Sequence, residues 1–159
     1  MSGWSHFRVV YDKHNREGMM ANILIIDDQP CVRKLLSEEL IIEGYQVHSL
    51  GHAESVREHL LSSQPDLVLL DLYLEGPEGF GLFEDIKRQY PHMPVIIVTA
   101  YDSFMDDPRV SHADGYVIKS IHLDELKQKI AQVLTPQQDL QTTEEPKPHC
   151  PELRVVHGF

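Results

Sequence analysis

The sequence predicts a layered α/β domain built on a parallel sheet. Three observations carry that expectation. Apolar runs at residues 23–26, 67–70 and 95–98 contain no alternating polar position, as strands covered on both faces do. Between them lie segments whose apolar residues recur at helical spacing. Polar residues follow the runs directly: Asp27 and Asp28 after the first, Asp71 after Leu70, Thr99 after Val98, and Lys119 after Tyr116-Val117-Ile118. In a parallel sheet those positions share one edge, where open α/β folds bind ligands.

The elements then follow in alternation from about residue 21. Residues 22–26 form the first strand. Pro30 suits the first turn of a helix, where its missing N–H costs nothing. Val32, Leu35, Leu36 and Leu40 give that helix an apolar face, and Gly44 stops it. Residues 45–50 form the second strand. Residues 53–61 form the second helix, packed through Val56, Leu60 and Leu61, and Pro65 ends that segment. Residues 66–70 form the third strand, and Glu75-Gly76-Pro77-Glu78-Gly79 is loop chemistry. Phe80, Phe83 and Ile86 mark a third helix that stops before Pro91, with both phenylalanines in the core. Residues 94–98 form the fourth strand, with Pro94 at its beginning. Residues 115–118 form the fifth. Leu123, Leu126, Ile130, Val133 and Leu134 define the last helix, with Pro136 just beyond it.

A right-handed crossover calls for one more helix between strands four and five. Pro108 and the Asp106-Asp107 pair oppose it, so residues 101–114 are expected to hold a short, displaced or distorted helix. The sum is five βα units in one domain at residues 21–135.

Residues 1–20 and 136–159 read as mobile extensions. Phe7-Arg8-Val9-Val10 and Leu153-Arg154-Val155-Val156 are weakly alike, and pairing as edge strands or docking on a partner is the alternative there. The chain has 159 residues, 42% of them hydrophobic, enough for one domain with a core and some material left over. A formal charge of −11 argues against a broad basic surface for nucleic acid, and part of it suits balance by a bound metal. Cys31 and Cys150 form no motif, which favours a reduced, cytoplasmic setting, with Cys31 packed in its helix. The histidines show no metal-ligand spacing. No apolar run reaches membrane-spanning length, and the start lacks the layout of a secretory signal, so no membrane insertion is expected.

Three carboxylates gathered on one sheet edge repel one another unless a cation lies between them. Asp27, Asp28 and Asp71 therefore ask for a hard divalent metal, and Thr99 and Lys119 remain to handle an anion beside it.

In this order, each on its expected strand end, these residues resemble the receiver domain of two-component response regulators over roughly residues 21–134. The resemblance implies a doubly wound, flavodoxin-like fold with strand order 2-1-3-4-5. It implies that Asp71 accepts a phosphoryl group from a histidine kinase or a histidine phosphotransfer protein. It implies Mg2+ or Mn2+ held by Asp28 and Asp71, by Asp27 directly or through water, and by the backbone carbonyl of Tyr73. Lys119 would pair with a phosphoryl oxygen and Thr99 would donate to another. Thr99 and Tyr116 would form the switch that alters the surface around the last crossover, the fifth strand and the final helix. With some two dozen residues after the last helix, the expectation is a stand-alone signalling domain with an unnamed downstream target. It would be no enzyme beyond its own phosphorylation and dephosphorylation.

Three departures from the family pattern stand out. Ser120 replaces the usual proline after Lys119, and a cis bond before a non-proline residue costs roughly 3 kcal/mol, so a trans Lys119–Ser120 peptide is expected. Glu75 stands where a proline is frequent; it either reaches the metal through water or points into solvent. The Thr99–Lys119 interval is about two residues short of the common length, and it contains Pro108. The resemblance links the positions of Tyr73 and Tyr101, two residues past Asp71 and Thr99, to dephosphorylation, and there the two rings would shield an acyl phosphate from water. Two other classes compete with the leading one. A receiver-like scaffold that ignores phosphate is opposed by the intact acidic set. A small aspartyl-phosphate phosphohydrolase of the haloacid type needs a second aspartate where Tyr73 stands.

Overall fold

The structure, a computed structural model, describes residues 20–75 and 78–135. Five parallel strands form one sheet in the order β2-β1-β3-β4-β5. They are β1 (Asn22–Ile26), β2 (Gln46–Leu50), β3 (Leu67–Leu70), β4 (Val95–Thr99) and β5 (Gly115–Ile118). β1 pairs with β2 from Asn22↔Gln46 to Ile26↔Leu50, and with β3 from Ile23↔Leu67 to Ile26↔Leu70. β1, β3 and β4 are buried along their whole length, which is why their sequences show no alternation.

Successive residues of one strand serve opposite faces. Ile23 and Ile25 pack with Leu36 and Leu40 of helix α1 (Pro30–Ile42) and with Leu126 and Ile130 of helix α4 (Asp124–Leu134). Leu24 and Ile26 pack with Val56 and Leu60 of α2 (Val56–Ser63) and Phe80, Phe83 and Ile86 of α3 (Glu78–Gln89). Pro30 opens α1, and Gly44 follows its end at φ +94°, a conformation that costs a glycine little. Lys127 of α4 reaches Glu39 of α1 and Glu43, just past the end of α1, both at 2.9 Å, and ties the two helices of one face together.

Several sequence expectations need correction. The second helix begins later than residue 53: residues Ala53–Ser55 form a 3-10 turn, and the α-helix continues to Ser63. Leu61 lies on its solvent side, and Leu35 is likewise exposed on α1. Both fall at the rim of an apolar stripe, where periodicity alone does not tell core from surface. Cys31 is exposed at the start of α1 and packs in no core.

The connection from β4 to β5 carries no α-helix. It holds turns and one 3-10 turn, Pro108–Val110. Asp107, just before it, is extended, as a residue preceding proline tends to be, and its carboxylate caps the turn by accepting the Arg109 N–H at 2.9 Å. The Arg109 side chain and N–H hold the Asp107 carboxyl at about 2, well below the ordinary carboxylate range. Buried Val110, with Phe104 and Ala113, docks the connection on the sheet. The result is four βα units with α-helices and one crossover built from turns. The Lys119–Ser120 peptide is trans, as expected; no cis peptide occurs among the described residues. The two apolar clusters near the termini, at Phe7 to Tyr11 and Leu153 to Val156, lie outside the described residues.

Candidate functional site

The strand order reverses between β1 and β3, and the carboxyl ends of strands at such a switch point are where open α/β sheets bind ligands. Asp27 and Asp28 leave β1 there and Asp71 leaves β3. The backbone keeps them in register: the Asp27 N–H donates to the Leu50 carbonyl at 3.1 Å and the Asp71 N–H to the Ile26 carbonyl at 2.9 Å. Asp27 and Asp71 are buried, and Asp28 is half-buried. Carboxylate oxygens of all three lie within 4.8 Å of one another.

Lys119, just past β5, enters from the side. Its Nζ stands 2.7 Å from Asp27 Oδ2 and 2.6 Å from Asp71 Oδ2. Its place is set by β5 pairing with β4, extended by the Lys119 N–H donating to the Thr99 carbonyl at 2.8 Å. Burial disfavours the Lys119 ammonium, but hydrogen bonds to Asp27 and Asp71 outweigh it and raise its pKa. Burial raises the Asp27 pKa in turn, against the lowering effect of Lys119 and of the Gln29 N–H, which donates to Asp27 Oδ1 at 2.8 Å. Asp71 Oδ1 accepts the Tyr73 N–H at 3.0 Å.

Two oxygens at the site have no partner although they are buried: Asp28 Oδ1 and Thr99 Oγ1. Such atoms cost free energy unless something binds them, roughly 1–3 kcal/mol each. An all-oxygen donor set with three carboxylates, one oxygen of it orphaned, fits a hard divalent cation such as Mg2+. The orphaned hydroxyl fits an anion acceptor next to it.

The structure thus brings together Asp27, Asp28, Asp71, Thr99 and Lys119. Tyr116, on β5, is half-buried, and its hydroxyl donates to the Tyr101 carbonyl at 2.6 Å. Burial, then the charge of Asp102, raises its pKa. Tyr73 and Tyr101 are exposed and pack on each other with ring centroids 4.8 Å apart. Glu75 points outward, and its N–H donates to Asp28 Oδ2 at 3.3 Å.

Two participants escaped the sequence. Phe104 joins the rings of Tyr73, Tyr101 and Phe80 at 5.7, 6.3 and 5.2 Å, and no periodicity marks it because its segment is irregular. Arg33 donates from Nη1 to the Asp27 carbonyl at 2.7 Å. Its signal was a lone charge one turn into α1, indistinguishable from a solvated surface residue.

Fold and site define a doubly wound α/β domain with a lysine-bridged acidic cluster at its topological switch point. A model of the response regulator receiver domain matches residues 23–131, and the chain belongs to that family. It is 34% identical over 117 residues to the heme response regulator HssR of Staphylococcus epidermidis, covering 72% of this chain and 52% of that protein. It is 33% identical over 117 residues to the DNA-binding transcriptional regulator NtrC of Proteus hauseri, covering 72% and 24%. The chain spans about half the length, or less, of these curated relatives. Among solved structures, the Thermotoga maritima response regulator TrrA bound to Mg2+ and BeF superposes with a TM-score of 0.68 at 36% identity, covering 72% of this chain and 99% of that one. The same regulator in complex with the histidine kinase ThkA gives a TM-score of 0.68 at 36% identity, covering 73% and 100%.

Proposed function

We propose that this chain accepts a phosphoryl group on Asp71 from a histidine kinase or a histidine phosphotransfer protein, and signals through a surface that changes with it. The observation that carries the reading is the Asp71 carboxylate, buried at the end of β3 with the Lys119 ammonium at 2.6 Å and two further aspartates beside it. The complex of TrrA with ThkA and that of TrrA with Mg2+ and BeF support it by likeness.

An Asp71 oxygen attacks the phosphorus. The bond from phosphorus to the donor imidazole nitrogen breaks, and its electron pair stays on that nitrogen, which takes up a proton. Asp27, Asp28 and Asp71, with the Tyr73 carbonyl, would hold a divalent cation, which would supply charge neutralisation for the phosphoryl group. Lys119 pairs with one phosphoryl oxygen as a point charge on a flexible stem. Thr99 Oγ1 donates to another and gains the partner it lacks. Tyr116 then exchanges its bond to the Tyr101 carbonyl for the space Thr99 vacates, and the irregular β4–β5 crossover carries the change to the surface. The ring pair of Tyr73 and Tyr101 slows attack of water on the acyl phosphate.

The chemistry stops at the chain's own aspartyl phosphate, because the residue two past Asp71 is Tyr73 and offers no second acid. The exchange belongs in the cytoplasm; no helix among the described residues is long and apolar enough to cross a membrane. Intact-mass spectrometry after incubation with phosphoramidate and Mg2+ tests the proposal. One phosphoryl increment is expected on the parent and none on Asp71→Ala. An unlabelled parent would instead indicate a scaffold that does not use phosphate, and a labelled Asp71→Ala would move the acceptor elsewhere.

A further inference from the structure

Arg33 has no role in the chemistry above, yet it grips the backbone that carries two of the three aspartates. Its Nη1 donates to the Asp27 carbonyl at 2.7 Å. The guanidinium lies on Gly51, the residue after β2: a Cβ at Gly51 would stand 2.9 Å from Nη1, 3.2 Å from Cζ and 3.4 Å from Nη2. Leu50, next to Gly51, accepts the Asp27 N–H at 3.1 Å. Both backbone polar groups of Asp27 are therefore fixed, one by β2 and the other by a side chain that only a glycine leaves room for. The carbonyl of Asp27 belongs to the peptide that links it to Asp28. Arg33 thus sets the plane from which the Asp28 carboxylate projects, and one oxygen of that carboxylate is buried without a partner.

We infer that Arg33 and Gly51 form a latch that positions Asp27 and Asp28 for the divalent cation, with Arg33 a positioning residue and not a ligand. The inference rests on the phosphoacceptor reading for the cation itself. Mg2+ demands near-ideal octahedral geometry, so a small rotation of the Asp27–Asp28 peptide is felt at once. Residues that hold ligands in place commonly account for 10–100-fold in metal affinity.

The sign of the effect separates this role from plain electrostatics. A guanidinium near a cation site repels the cation, so losing only its charge would tighten binding. Losing the latch loosens it. The glycine supplies a second test, because the atoms a new Cβ would meet are the far end of a flexible side chain. Gly51→Ala can thus displace the guanidinium at little cost to the fold.

Mn2+ titration followed by electron paramagnetic resonance of the free ion, with thermal melts of each metal-free variant, tests the latch. Arg33→Met is expected to weaken Mn2+ binding about tenfold. Gly51→Ala should weaken it severalfold with Tm unchanged, and the double variant should bind no more weakly than Arg33→Met alone. Binding by Arg33→Met as tight as the parent or tighter overturns the latch. So does a Gly51→Ala penalty that persists in full without Arg33. A parent that fails to bind Mn2+ overturns the phosphoacceptor reading as well, which distinguishes the two failures.

Discussion

Thr99 shows at the scale of one residue how this site trades stability for readiness. It sits at the end of β4, fully buried, and its hydroxyl bonds to nothing. A buried polar group in that state is a liability that an isosteric apolar residue removes. Thr99→Val should therefore stabilise the unphosphorylated protein by about 1 kcal/mol, read as a higher urea midpoint at constant slope. The same variant should lose the response of the Tyr116 surface to phosphorylation, monitored by amide exchange of residues 101–110. A Thr99→Val protein less stable than the parent would show that the hydroxyl is satisfied. Lys119 is the counterpart: it already spans Asp27 and Asp71, so the resting site is neutralised from one side while Asp28 keeps an oxygen unsatisfied.

Individual elements are held by contacts that periodicity does not show. Gly79, in the first turn of α3, lets that helix lie against the backbone after β3. A Cβ there would run into the Leu72 carbonyl group, which is backbone and has nowhere to go. Gly79→Ala is expected to destabilise by roughly 1–3 kcal/mol, although alanine is the better helix former. Equilibrium unfolding measures it, with Gly81→Ala as the control, since nothing lies within 4 Å of a Cβ at Gly81. Equal effects at the two positions would contradict the steric account. The β4–β5 crossover is the other element that needed the structure. Pro108 announced that a regular helix would fail there. Only packing decided that Phe104 and Val110 would anchor the segment to the core, and that Arg109 would lie over the Phe80 ring at 3.9 Å.

For the molecule as a whole, a cation held at the acidic cluster would link its binding to folding. The chain carries a formal charge of −11, and its three site aspartates are assembled only when β1 and β3 are adjacent. A cation that binds the folded state alone stabilises it by about 2.7 kcal/mol at a hundred times its dissociation constant. Tm should rise with added Mg2+ in the parent and rise less in Asp28→Asn, at constant ionic strength. A parent whose Tm ignores Mg2+ would argue against a resident cation.

Much of this was legible in the chain alone. Four-residue apolar runs, helix-spaced leucines and polar residues at strand ends determined the α/β class, the strands to within a residue or two, and which polar residues gather at the sheet edge. These are local signals: strand burial on both faces erases alternation, and a charged residue at a strand end marks where the sheet edge begins. The tertiary structure decided what depends on neighbours distant in sequence. It exposed Leu35 and Leu61, replaced a helix with turns at residues 101–114, and placed Phe104 among the site's aromatic rings. It also set Arg33 between Asp27 and Gly51. Those outcomes turn on which surfaces meet and how much room they leave, and no period in a single chain encodes the space beside a glycine.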